Sequence, residues 1–242
     1  MVEVKNLVKR YGDKLAVDHV SFTVNEGEIL GFLGPNGAGK STTMNIITGY
    51  LSSTSGTVTI DGCEILEDPK GAKSKIGYLP EIPPLYQDMT VKRYLEFVYD
   101  LKKVTLPKKE HLAEVSKVTK IADVYNRVIK NLSKGYRQRV GLAQALIGNP
   151  PVIILDEPTA VLTPQETEKL FNVLRRMRDD GKCIIIITHK LHEVLSLSDR
   201  VSVLRKGEYV GTVNTSETNE NELTEMMVGK KVDLNIQRNE PK

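Results

Sequence analysis

The stretch Gly34-Pro35-Asn36-Gly37-Ala38-Gly39-Lys40-Ser41-Thr42 decides the fold of this 242-residue chain. It has a glycine, four residues, a second glycine, a lysine and a serine, which is the spacing of a phosphate-binding loop. The apolar run 28–33 before it predicts a buried strand, and residues 43–49 after it predict a helix closed by a glycine. Strand, glycine loop and helix together bring backbone amides and a helix N-terminus toward one phosphate.

Two side chains of this loop carry specific chemistry. Lys40 is expected to reach the β- and γ-phosphates of a nucleotide, and Ser41 to hold Mg²⁺. The loop residues expected to bind the nucleotide are Gly34, Asn36, Gly37, Ala38, Gly39, Lys40, Ser41 and Thr42. The alternative is a glycine-rich turn before an ordinary helix, and the lysine and serine after the second glycine disfavour it.

A second apolar run ends in two acidic residues. Residues 151–155 predict a central parallel strand with both faces covered, and Asp156 and Glu157 follow it directly. Ligands bind at the C-terminal ends of strands in open α/β sheets. Asp156 is therefore expected to hold Mg²⁺ through its water shell, and Glu157 to accept a proton from an attacking water. Without the phosphate loop, two solvated acids at a strand end would be the better interpretation.

Composition sets limits on the class of protein. The net charge of +3 is too weak to favour nucleic acid or an anionic membrane surface as a partner. Cys63 and Cys183 lie far apart, match no metal-binding spacing and do not indicate an oxidising compartment. The N-terminus lacks a signal pattern, and the longest apolar runs are far shorter than a membrane span. We expect a soluble, cytoplasmic chain whose membrane role, if it has one, depends on a partner.

The order of predicted elements favours one α/β domain over residues 1–242, built on a P-loop NTPase core. Alternating patterns in 2–33 and 57–60 predict an N-terminal antiparallel β subdomain. Helical spacing within about 82–148 predicts an inserted helical subdomain, with Thr90 as an N-cap. From Pro151 onward strands and helices alternate, which is typical of a parallel sheet. The tail after Val232 is polar and is expected to fray.

A third motif carries a family resemblance. Asn131-Leu132-Ser133-Lys134-Gly135-Tyr136-Arg137-Gln138-Arg139-Val140 resembles the signature sequence of ATP-binding cassette proteins, whose usual form is Leu-Ser-Gly-Gly-Gln. Ser133 and Gly135 keep that form, whereas Lys134 and Tyr136 depart from it. Phosphate loop, signature, acidic strand and a histidine after an apolar strand occur in the family's order. The resemblance covers roughly the whole chain.

The resemblance implies a function and further site residues. Tyr11 stands where the family places an aromatic ring under adenine, and His189 looks like the switch histidine that positions the γ-phosphate and water. Glu157 would be the general base. The family pattern implies Mg²⁺-dependent ATP hydrolysis in a head-to-tail homodimer, with ATP between the phosphate loop of one copy and Ser133 and Gly135 of the other. It also implies membrane-spanning transporter subunits as partners, at the inner face of the membrane.

Two positions depart from the family pattern near the expected site. Glu81 follows Tyr78-Leu79-Pro80, where the family often has a glutamine that touches Mg²⁺. A glutamate still accepts water or metal contacts, but it cannot donate through an amide. Thr163 stands where family members commonly have an aspartate that links the two cassettes. With Pro164 it also suits a helix N-terminus, so coupling between subunits is expected to be weaker.

The two ends of the chain resemble different branches of the family. Residues 76–103 and 132–151 are similar to exporter cassettes, whereas 159–166 and 226–229 are similar to the first cassette of nucleoside and sugar importers. One hypothesis is a fused or engineered chain with a seam near 155–160, and another is a natural member with both patterns. A cassette that binds ATP but hydrolyses it poorly or lacks a transport partner is the alternative function. A cassette of translation or DNA repair and an unrelated phosphate-loop kinase are weaker rivals.

Overall fold

The computed structural model describes residues 1–230, so the expected fraying after Val232 lies outside the described residues. Its strands follow the predicted runs closely. They are β1 Val2–Tyr11, β2 Lys14–Val24, β3 Ile29–Leu33, β4 Ser55–Ile60, β5 Cys63–Glu64, β6 Ile76–Leu79, β7 Val152–Asp156, β8 Cys183–Ile187, β9 Arg200–Arg205 and β10 Glu208–Asn214.

Most of the described helices begin at an N-cap residue whose side chain accepts a hydrogen bond from a free backbone amide. They are α1 Lys40–Ile47, α2 Pro69–Ser74, α3 Val91–Leu101, α4 Lys108–Val118, α5 Lys134–Leu146, α6 Pro164–Asp179, α7 Leu191–Leu197 and α8 Glu220–Val228. Thr90 caps α3 as predicted, by accepting from the Arg93 amide. Thr163 and Glu166 form a reciprocal capping box at the start of α6, with Pro164 in its first turn. The residue that replaces the family's usual aspartate is thus the N-cap of α6.

All strands join one mixed sheet in the order β5-β4-β1-β2-β10-β9-β3-β8-β7-β6. From β9 to β6 neighbouring strands are parallel. Residues of β3, β7 and β8 are almost all inaccessible to solvent, which explains their continuous apolar runs. Because these strands are parallel, their C-terminal ends meet at one edge of the sheet. The α/β fold with a P-loop NTPase core is confirmed.

The N-terminal antiparallel β subdomain is also confirmed. Strand β1 pairs antiparallel with both β2 and β4, and β4 pairs with β5. This part joins the parallel part through one pair between β2 and β10, Asp18 with Glu208. The junction lies beside the phosphate loop, because the Gly207 amide donates to the Ala38 carbonyl and the Asp18 amide donates to the Gly207 carbonyl.

The inserted helical region, α3 to α5, packs on the sheet through a shared core. Leu142 of α5, Leu155 of β7 and Leu170 of α6 belong to one cluster of buried side chains. Leu155 is fully buried and pairs with Leu79 on one side and Ile186 on the other. The hypothetical seam near 155–160 therefore begins at the end of a strand that is hydrogen-bonded on both edges. None of the described helices is long and apolar enough to cross a membrane.

Candidate active site

Four predicted elements converge at the C-terminal edge of the parallel strands. The phosphate loop follows β3, Asp156 ends β7 with Glu157 after it, and His189 follows β8. Glu81 follows β6, the neighbour of β7, and its side chain is exposed. The negative charge of Glu81 contributes to raising the pKa of Asp156. Sheet topology thus assembles residues that are up to 155 positions apart in the chain, from Gly34 to His189.

Helix α1, which follows the phosphate loop, has an open start, meaning that no side chain caps its first backbone amides. Helix α1 has Gly39 at its N-cap position, and no side chain accepts a hydrogen bond from its first amides. Gly39 has φ of 100°, and a Cβ atom there would lie 2.6 Å from the Ala16 carbonyl oxygen, so only glycine fits. The Lys40 ammonium donates to the carbonyls of Gly34 at 2.5 Å and Pro35 at 3.1 Å. The loop therefore presents free amides and a cation to the same space.

The ionisable side chains at this edge of the sheet shift each other's pKa values. Burial, with the charges of Glu157 and Glu81, raises the pKa of Asp156 to about 6, while Lys40 opposes the shift. Burial lowers the pKa of Lys40, and the charges of Glu157 and Asp156 oppose that change. Burial is the main cause of the raised pKa of Asp156, because it disfavours the ionised carboxylate. A cation at this position would therefore be stabilised.

Glu157 and His189 contact each other directly. His189 Nδ1 lies 2.8 Å from Glu157 Oε1, and the histidine side chain is 66% exposed whereas that of Glu157 is 14% exposed. The other oxygen, Glu157 Oε2, is buried and has no hydrogen-bond partner among the described residues. Glu157 has φ of 44°, an uncommon backbone conformation for this residue type. A strained backbone and an unpaired buried oxygen are features of functional sites.

A buried polar cluster holds the loop that carries His189. Lys190 Nζ donates to the Thr159 carbonyl and hydroxyl and to Glu193 Oε1, at 3.3, 3.1 and 2.9 Å. The Thr159 hydroxyl donates to Glu193 Oε2 at 2.6 Å. Thr159 is fully buried and Glu193 is 3% exposed, so these bonds are shielded from water. The cluster ties the loop after Glu157 to the loop of His189, and sequence reasoning missed it.

One open pocket contains the phosphate loop and Tyr11. Tyr11 lies at the end of β1, is 49% exposed, and has the ammonium of Lys9 5.2 Å from its ring centroid. The pocket is lined by Tyr11, Lys14, Leu15, Ala16, residues 36–42 of the loop and Lys206. Tyr11 and the loop were predicted, whereas the lysines at 14 and 206 were not. Lys206 lies in the turn between β9 and β10, far from any motif in the sequence.

The signature residues lie elsewhere, at the start of α5. The Ser133 hydroxyl accepts from the Tyr136 amide at 3.3 Å and caps the helix. Arg139 packs on the ring of Tyr136 and donates to Glu166 at 2.5 Å. Glu166 is the capping-box residue of α6, so the signature helix is tied to the Thr163 turn. Ser133 and Gly135 are not among the described residues that line the pocket of the phosphate loop.

Comparisons with known proteins agree with this geometry. The family model described as ABC transporter matches residues 17–160, more than half of the chain. The chain belongs to the ABC transporter family of ATP-binding proteins. It is 37% identical over 221 residues to the uncharacterized ABC transporter ATP-binding protein YhcH of Bacillus subtilis, with 90% of this chain and 72% of that protein covered. The cassette is accordingly a P-loop ATPase.

Two further comparisons concern assembly and length. The cassette is 37% identical over 241 residues to the ribose import ATP-binding protein RbsA 2 of Escherichia coli O157:H7, which covers 95% of this chain and 47% of the relative. The chain therefore spans about half the length of that relative. The dimeric structure of a post-hydrolysis state of a cassette bound to ADP and phosphate superposes with a TM-score of 0.81 at 28% identity, covering 89% of this chain and 99% of the other.

The comparisons give no support to a fused or exporter-like first half. The alignment with the ribose import protein covers 95% of the cassette and so runs across residues 155–160. One natural protein thus matches both sides of the suspected seam. Strand β7, at whose end the suspected seam begins, pairs with β6 on one edge and β8 on the other. A natural cassette whose segments resemble several branches explains both observations.

Proposed function

We propose that this chain is the nucleotide-binding subunit of an ABC transporter, and that it binds and hydrolyses ATP at the edge of the sheet formed by β3, β7 and β8. The observation that carries the proposal is the juxtaposition of an open helix start at α1 with the Glu157–His189 pair. The free amides and Lys40 provide the phosphate-binding side of the site. Tyr11, at one end of the same pocket, offers an exposed ring on which adenine stacks.

The residues present fit a bound Mg²⁺. Asp156, with its raised pKa, and the exposed Glu81 supply carboxylate oxygens, and Ser41 supplies a hydroxyl. Within residues 1–230 no group of three or more His, Cys, Asp or Glu side chains is arranged to hold a metal alone. This agrees with Mg²⁺, which binds through one or two carboxylates together with substrate phosphates. The ion would neutralise negative charge on the phosphates.

Glu157 would act as general base. Its Oε1 is held by His189, and its unpaired Oε2 is free to accept the proton of an attacking water. The residue after His189, Lys190, is held by its bonds to Glu193 and Thr159. In the tautomer that donates from Nδ1 to Glu157, Nε2 of His189 faces away as an acceptor. Positioning and charge neutralisation would supply the larger part of the rate enhancement.

We further propose a head-to-tail dimer in which Ser133 and Gly135 of one copy complete the site of the other. This is supported by the dimeric cassette that the fold matches, and by the separation of the signature from the phosphate-loop pocket. Membrane-spanning subunits would bind the dimer at the cytoplasmic face of the membrane. Relatives named for ribose import and nucleoside import support a role in transport. No nucleic-acid partner is proposed.

The test is phosphate release from ATP with Mg²⁺ by the purified chain. Glu157→Gln should lower turnover by about 10²- to 10⁴-fold, the range for a lost general base, and leave ATP affinity intact. A parent chain that binds ATP without releasing phosphate would favour the binding-only alternative, for which Glu81 and Thr163 are the departures to examine. Turnover of the variant equal to that of the parent would show that Glu157 is not the base.

A further inference from the structure

Two hairpins of the sheet have the same turn geometry but different residues. Asp61-Gly62 joins β4 to β5 with φ of 45° and 83°, and Lys206-Gly207 joins β9 to β10 with φ of 52° and 88°. Two-residue turns with both φ positive favour Asn-Gly or Asp-Gly, because short polar side chains tolerate the left-handed region. Asp61 follows this preference. Lys206 does not, so its turn accepts a conformational cost.

The surroundings of the two turns differ as well. Asp61 lies near two cations, the N-terminal amine at 3.8 Å and Lys75 at 3.3 Å. Lys206 is exposed and forms no hydrogen bond or ion pair with the rest of residues 1–230. Local interactions therefore explain the residue at 61, whereas they do not explain the lysine at 206.

The turn that carries Lys206 is fixed against the phosphate loop. The Gly207 amide donates to the Ala38 carbonyl at 2.9 Å, and a Cβ atom on Gly39 would lie 3.5 Å from the Gly207 Cα atom. Lys206 lines the pocket of the phosphate loop together with Lys14 and Lys40, and no carboxylate is among the described residues that line it. An aspartate at 206, which is the residue type at the same position of the β4–β5 turn, would place a negative charge beside the phosphates.

We propose that Lys206 is a nucleotide-binding residue that attracts the polyphosphate of ATP and ADP from the β9–β10 turn. The inference rests on the proposed function, because it assigns a further residue to the same pocket. The charge acts across an exposed pocket rim, so it raises affinity by electrostatic attraction and is screened by salt. Holding a lysine in the left-handed region lowers the stability of the turn, so the expected gain in nucleotide affinity comes with a cost in stability.

The experiment measures binding of ADP with Mg²⁺ by calorimetry, beside thermal unfolding of the nucleotide-free chain. Lys206→Asn should weaken binding about three- to tenfold at low salt, and Lys206→Asp further. Both should raise the unfolding midpoint by about 1–2 °C, because the turn gains its preferred residue. The matched control is Lys103→Asn: Lys103 is exposed with φ of 51°, yet lies after α3, outside the pocket. It should gain stability without losing affinity.

Salt separates attraction by charge from an effect on loop shape. The loss in Lys206→Asn should shrink toward the parental affinity in 0.5 M NaCl. Equal affinity of Lys206→Asn and the parent at low salt would overturn the inference while leaving the proposed function intact. So would a loss that is the same at both salt concentrations. A parent chain that binds neither ADP nor ATP would instead contradict the proposed function.

Discussion

Helices α1 and α5 both begin at segments proposed to contact ATP, but their first turns differ. At α1 the N-cap is Gly39, and no side chain occupies the free amides. At α5 the Ser133 hydroxyl already accepts from the Tyr136 amide. An uncapped start leaves donors for a ligand, whereas a capped start is stable by itself. In the proposed dimer, α1 would bind phosphate within one protomer, and α5 would contribute to the site of the second protomer.

The N-terminal ends of α1 and α5 also differ in the tertiary contacts that fix them. The α1 start is fixed from beneath by the β9–β10 turn through Ala38. The α5 start is linked sideways through Arg139 to Glu166, the residue that caps α6. Two of the departures from the family pattern, Tyr136 and Thr163, are connected through this ion pair.

The largest effect is expected at the open start. Among residues 1–230, Lys40 is the only lysine whose side chain bonds to the loop itself. In Lys40→Ala, ATP affinity should fall by about 30- to 100-fold, the range for charge-assisted hydrogen bonds. Lys117→Ala, an exposed lysine of helix α4, is the control and should bind ATP as the parent does. Calorimetric titration with ATP measures the affinity of both variants and of the parent. Unchanged affinity in Lys40→Ala would mean that α1 does not bind phosphate.

At the capped start of α5, the expected effect is on turnover and not on nucleotide affinity. Ser133→Ala should lower turnover about five- to tenfold through the lost hydroxyl, with ADP affinity of a single protomer unchanged. Thr90→Ala is the matched control, because Thr90 caps α3 by the same type of bond. Both variants should lose about 1 kcal/mol of unfolding free energy. If Thr90→Ala lowers turnover as much as Ser133→Ala, the serine acts only as a cap.

A smaller effect is expected on stability at the acidic edge. The pKa of Asp156 is raised to about 6, above the value of about 3.9 in an unfolded chain. The folded state therefore binds more protons between those values, and this contribution to stability is lost as the pH rises from about 4 to 6. Asp156→Asn should raise the unfolding midpoint at pH 7.5 by about 2–4 °C without nucleotide or metal.

The same variant should show almost no gain at pH 4.5, where Asp156 is largely protonated in the folded parent. Differential scanning calorimetry in EDTA at the two pH values makes the comparison. A gain of equal size at both pH values would show that burial of the ionised carboxylate is not its cause.

Local sequence signals predicted most of the fold. The apolar runs 28–33 and 151–155 form strands Ile29–Leu33 and Val152–Asp156, and the caps at Thr90 and Thr163 were found where expected. Strong apolar runs and N-cap chemistry are properties of neighbouring residues, so they are visible in a sequence. Helix Pro69–Ser74 was missed because six residues that include a glycine and a proline carry no helical periodicity.

The candidate site was predictable only where a motif names the residue. The phosphate loop, Glu157 and His189 came from motifs, and topology then placed them at one sheet edge. Lys206 and the pair Lys190–Glu193 depend on tertiary contacts between distant segments, for which the chain carries no local pattern. The roles assigned to the motif residues stay predictions until the variants are measured.

The most direct test of the account is complementation between two inactive variants. Lys40→Ala destroys the open start, and Ser133→Asp keeps a capping side chain but repels phosphate. Each variant alone should release almost no phosphate from ATP with Mg²⁺. An equal mixture should regain about a quarter of the parental rate, because half of the dimers would hold one intact site made from Lys40 of one copy and Ser133 of the other. A mixture as inactive as its components, or full activity in Ser133→Asp alone, would contradict a site shared between two protomers.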